Sequence, residues 1–152
     1  MSRARTVVTV GALLTAIWAL LVFAVVKPVT AADYRRNLVQ VAESAHDAAR
    51  TGWLAGRQVL ARQTFPPFAQ TAFDDAGKAL AGEMKQFGSE APPGAASRQL
   101  RDELVPLLDG VLHGLGDATD ANDDDDQQAL QDAVQSLEKV AGQLDDFIEA
   151  LR

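Results

Sequence analysis

The densest oxygen-ligand chemistry in the chain is the run Asp117-Ala118-Thr119-Asp120-Ala121-Asn122-Asp123-Asp124-Asp125-Asp126. Hard cations such as calcium take several oxygen ligands from one loop. Asp120-x-Asn122-x-Asp124, with Asp126 two residues on, follows the opening of a helix–loop–helix calcium loop. Asp120, Asn122, Asp124 and Asp126 are therefore the candidate metal ligands, with calcium as the ion. The pattern then breaks: Asp125 stands where the turn needs Gly, and Gln131 where the last ligand is Glu. Helix capping is the simpler reading. Acidic side chains favour a helix N-terminus, and Asp124 with Gln127 has the spacing of a capping box.

Other chemistries are poorly supplied. Glu43-x-x-His46 has the spacing used by di-metal carboxylate bundles, but those sites need the motif twice and two further glutamates. The second histidine stands in Asp109-x-x-x-His113, so both histidines read as structural. A haem held by Met84 and a histidine has no specific signal. There is no cysteine, which excludes disulfides, thiolate metal sites and thiol catalysis. The chain carries no nucleophile elbow, phosphate-binding glycine loop or paired zinc histidines. The expectation is a non-enzymatic protein with no resident cofactor. A net charge of −7 argues against nucleic acid, which demands a basic surface.

Recognition chemistry is better represented. Trp53, Phe65, Phe68 and Phe73 fall near one predicted hairpin, Phe65 and Phe68 enclosing Pro66-Pro67. They could plug the end of a small-residue core, or form an exposed patch that docks a partner. Trp53, Phe65 and Phe68 are the candidate partner-binding residues. Arg50 and Arg57 flank Trp53 on one helix face, where they could hold an anion. Salt bridges to the acidic fourth helix, with Asp47 pairing Arg50, account for them without a ligand and are the preferred reading.

These residues need elements to position them. Residues 6–26, TVVTVGALLTAIWALLVFAVV, contain no charge and are long enough as a helix to cross roughly 30 Å of hydrocarbon. Arg3 and Arg5 precede the stretch, and Lys27-Pro28 closes it. The expected organisation is a cytoplasmic tail over 1–5, a transmembrane anchor over 6–26, a linker over 27–32 and an extracytoplasmic domain over 33–152. A secretory signal cleaved near Val29-Thr30-Ala31 is the alternative, leaving a secreted or periplasmic protein. The membrane is thus one expected partner, through residues 6–26.

Beyond the linker the fold class is all-α: an antiparallel up-down four-helix bundle. Leu130, Val134, Leu137, Ala141, Leu144, Ile148 and Leu151 step by 4 and 3, the seam of a bundle helix. Similar seams run over Tyr34–Val59 within a helix at 33–63, over Phe68–Phe87 within 67–87, and over Leu100–Leu115 within 97–115. Pro106 predicts a kink or a late start in the third helix. Residues 116–126 are expected to be a loop. Charge is split: residues 33–101 carry net +2 and residues 102–152 net −12, which predicts attraction between the halves. Up-down topology puts the Thr64–Phe68 turn beside the acidic loop, about 45 Å from the start of the bundle.

The segments Gly52-Trp53-Leu54-Ala55-Gly56-Arg57-Gln58 and Phe65-Pro66-Pro67-Phe68-Ala69 carry a resemblance to single-span, membrane-anchored helical proteins of bacteria. The helical part is similar in architecture to four-helix sensory modules of chemoreceptors. The resemblance implies an anchored interaction or scaffolding module and assigns no active residues.

Overall fold

The computed structural model describes residues 30–152, and these contain four helices packed on one another with no strand. They are α1 (Ala31–Leu60), α2 (Pro66–Gly88), α3 (Ala95–Asp123) and α4 (Gln127–Leu151). The expected anchor at 6–26, the tail at 1–5 and residues 27–29 of the linker lie outside the described residues, and Ala31 and Ala32 of the expected linker already belong to α1. Among the described residues no helix is long and apolar enough to cross a membrane.

Contacts at the helix ends establish the up-down order. At one end, the Tyr34 ring of α1 lies 5.9 Å from the Phe87 ring of α2. There too Asn37 donates to Glu90 at 2.7 Å, and Arg35 donates to the Leu151 carbonyl at the end of α4. At the other end, Asn122 of α3 donates to the Pro66 carbonyl at 3.2 Å. α1 packs against all three other helices, while α2 and α4 do not meet. The α1–α3 diagonal is therefore the short one.

Small residues make that approach possible. A Cβ on Gly52 would sit 2.4 Å from Leu115 Cδ2, and one on Gly114 would sit 2.9 Å from Leu137 Cδ2. Leu137 is fully buried between these two glycines, wedged into α1 and α3 at once. Every residue of the α4 seam is buried, as is the α1 seam up to Ala55. The pattern of apolar spacing therefore locates the core well, because a bundle helix has one face to bury.

Three expectations about the elements need correction. α3 runs on to Asp123, so most of the expected 116–126 loop is helix; Ala118 and Ala121 continue its buried face, and the Asp side chains point outward. Pro106 neither delays the start of α3 nor breaks it. It lies on the exposed face, where water can serve the Asp102 carbonyl that it leaves without a donor. The charge split is not realised as an ion-pair network. Among the described residues, the ion pairs joining the two halves are His46–Asp145 at 3.3 Å and Arg152–Glu43 at 2.9 Å. Glu43 and His46 therefore line the α1–α4 surface rather than a bundle interior.

Tyr34 is fully buried, and its hydroxyl has no hydrogen-bond partner among the described residues. Burial pushes its pKa above the ordinary 10.0; Arg101 opposes this, and Glu90 and Asp102 reinforce it. A phenol harder to ionise folded than unfolded loses its stabilising contribution as pH rises through 10 and beyond. Tyr34→Phe is accordingly expected to raise stability at pH 8 by about 1 kcal/mol, since an unpaired buried hydroxyl is removed. The gain should widen above pH 10, which urea unfolding at the two pH values would measure.

Candidate functional site

The end of the bundle opposite Ala31 is built by two tight turns. α1 stops because Arg62 takes a left-handed conformation, φ 55°, with Arg62 N–H bonded to the Val59 carbonyl and Gln63 N–H to the Gln58 carbonyl. This is a Schellman termination with Arg in the place usually held by Gly. α3 stops the same way, with Asp125 at φ 54° and Asp126 N–H bonded to the Ala121 carbonyl at 2.9 Å. These are the two positive-φ residues other than glycine among the described residues, and they share one end. Such backbone strain is tolerated where the surroundings fix it, and it gathers at sites of function.

Between the turns lies a cleft of about 430 Å³ lined by Leu60, Arg62, Phe65, Pro66, Asp125 and Asp126, among others. Pro66 and Pro67 open α2, where no amide donor is needed, and Phe65 occupies its N-cap in extended backbone. Phe65 is 82% exposed and Phe68 65%. The expected aromatic plug is therefore Phe73 alone, which is buried with its ring facing Gly56. The buried row of α2 starts at Ala69 and continues through Phe73, Leu80 and Phe87, so Phe68, one residue around the helix from Ala69, falls on the flank of that row and stays in water.

Trp53 is separate from this patch. It is half-buried on α1, with the Arg50 Cζ 4.6 Å and the Arg57 Cζ 5.0 Å from its ring centroid. The expected salt bridges of Arg50 and Arg57 to α4 are absent among the described residues. Cation–π stacking on the intervening tryptophan takes their place, since residues three and four apart share a helix face. Asp47 faces His46 at 3.6 Å instead of Arg50.

Of the four candidate calcium ligands, Asn122 turns to α2, while Asp120, Asp124 and Asp126 line one groove. Asn122 donates to the Pro66 carbonyl and to Gln70 Oε1 at 3.0 Å, tying α3 to α2. Asp120 and Asp124 line a groove between α3 and α4 together with Asp117, Asp126 and Asp132. Asp126 Oδ1 accepts from Gln128 N–H and Ala129 N–H, both at 3.0 Å. Asp126, not Asp124, is thus the N-cap of α4, because Asp124 and Asp125 are consumed in closing α3. Among the described residues no three or more acidic or histidine side chains are grouped so as to hold a metal ion. Asp126→Ala is expected to cost about 1 kcal/mol through loss of the cap, read as a lower midpoint in thermal unfolding followed by circular dichroism.

The sequence places the acidic run beside the Thr64–Phe68 turn, where the Asn122–Pro66 hydrogen bond joins the two; what it does not show is that the run closes a helix. A helix C-terminus carries partial negative charge and favours basic residues nearby. α3 instead ends on Asp120, Asp123 and Asp124, with no basic residue in its last turn. No family model, curated protein or solved structure matches the chain.

Proposed function

We propose that this protein is a non-enzymatic interaction module: a four-helix bundle, tethered to the membrane by residues 6–26, that docks a protein partner through the Phe65–Phe68 turn. The exposure of two phenylalanines one helical turn apart carries the reading. Burying each ring on a partner would remove apolar area from water, the main source of affinity at an interface hot spot. The turn that holds them is stiffened by Pro66-Pro67 and by the Asn122 link to α3, so little ordering is left for binding to demand. The uncharged length of residues 6–26 supports the anchor, with the bundle outside the cytoplasm.

The test is crosslinking in intact cells. Phe65→Ala/Phe68→Ala should abolish capture of partners seen with the wild-type chain, without lowering the melting temperature, because neither ring is in the core. Undiminished capture by a folded double variant would refute the assignment. Intact mass from the membrane fraction checks the anchor: the full-length mass supports it, and a mass starting at Ala32 or Asp33, after cleavage behind Ala31 or Ala32, supports release.

A further inference from the structure

Resting on that docking reading, we infer that the partner segment received by the bundle tip is basic and apolar: an amphipathic stretch of a protein carrying Lys or Arg beside its hydrophobic anchors. The exposed Phe65 and Phe68 form the apolar part of the surface. The adjacent α3–α4 turn supplies the charge. Asp123, Asp124, Asp125 and Asp126 are all exposed there, and Asp125 and Asp126 line the same cleft as Phe65. The turn is fixed against the apolar patch, since Gln70 of α2 donates to Asp123 at 3.3 Å and Asn122 to the Pro66 carbonyl.

No ion pair among the described residues offsets that charge. None of the four aspartates forms an ion pair there, and Arg62, the cation lining the cleft, pairs with none of them. The negative end of the α3 dipole lies beside Asp123 and Asp124, while the positive end of α4 is taken up by its N-cap, Asp126. From this side the groove holding Asp117, Asp120, Asp124 and Asp132 continues along α3 and α4. A basic partner relieves the repulsion as it buries the rings, and the field speeds its approach. The same charge repels an anionic lipid surface and the corresponding tip of a second copy.

The probes are a short amphipathic Lys/Leu peptide and its Glu/Leu counterpart, both fluorescein-labelled. Binding to the full chain in phosphatidylcholine nanodiscs is followed by fluorescence anisotropy and corrected for empty discs. The Lys/Leu peptide should bind and the Glu/Leu peptide should not. Phe65→Ala/Phe68→Ala and Asp123→Asn/Asp124→Asn/Asp125→Asn should each weaken binding at least about tenfold. Asparagine keeps the size of each side chain and tolerates the left-handed backbone at position 125, and an unchanged melting temperature would verify the fold. Added salt should weaken binding to the wild type more than to the Asn variant.

No binding of the Lys/Leu peptide, equal binding of both peptides, or indifference to the Asn substitutions would overturn the inference. So would Phe-dependent binding to phosphatidylglycerol vesicles or Phe-dependent self-association, which would assign the tip to a membrane or a second copy. If the Asn variant still captures the cellular partner lost by the Phe variant, docking stands and the basic-partner inference falls.

Discussion

Leu137→Ala is expected to destabilise the bundle by about 3–5 kcal/mol, at the upper end for truncating a core leucine. The reason lies in its neighbours. Leu137 fills the space over Gly52 on α1 and Gly114 on α3, neither of which has a side chain to move into the void. α1 and α3 are themselves held together by other buried residues, so the backbone cannot simply close the gap. A melting temperature lower by about 10–15 °C in the isolated bundle is the expected reading. A shift of only a few degrees would show that the diagonal can collapse.

Gly56→Leu approaches the same seam from the opposite direction. A Cβ at position 56 would lie 2.4 Å from Val134 Cγ2, and Val134 is buried and stiff at its first torsion. Inserting a whole leucine there is expected to cost about 3 kcal/mol or more through overpacking. Gly82 on α2 is the control, since a Cβ there meets nothing within 4 Å and the residue is exposed. Gly82→Ala should stabilise by about 0.5–1 kcal/mol, because alanine loses less backbone entropy in a helix. Opposite signs at two helical glycines, read by urea unfolding, would verify the distinction between a packed glycine and an idle one.

The bundle was largely legible in the apolar spacing, as was the place of the acidic run beside the Thr64–Phe68 turn, but the helical conformation of that run was not. In α4 every seam residue from Leu130 to Leu151 is buried, because one helix with one face to bury leaves the 4-3 pattern a single interpretation. Residues 116–126 misled for a physical reason. Glycine and repeated aspartate signal a loop, whereas Ala118 and Ala121, three residues apart, continue the buried face of α3. The ends of the helices escaped the sequence too. Arg62 and Asp125 take left-handed conformations that neither residue type announces. Arg50 and Arg57 were expected to seek carboxylates, yet the aromatic ring between them was nearer. Among the four aromatics that the sequence groups near one hairpin, it does not separate Phe73, which is buried, from Phe65 and Phe68, which are not, nor from Trp53, which stacks with Arg50 and Arg57. For Phe68 that separation turns on one residue's rotation around α2, since its neighbour Ala69 is buried.

Position-specific photo-crosslinking in living cells addresses the central claim, docking at the Phe65–Phe68 turn, most directly. Benzoylphenylalanine at position 68 samples the tip, and the same residue in place of Gln99 or Glu103 samples the exposed side of α3. The account predicts a discrete adduct from position 68 and none from positions 99 and 103, with the adduct lost when Phe65→Ala is added. Equal adducts from all positions, or adducts from the α3 face alone, would contradict it.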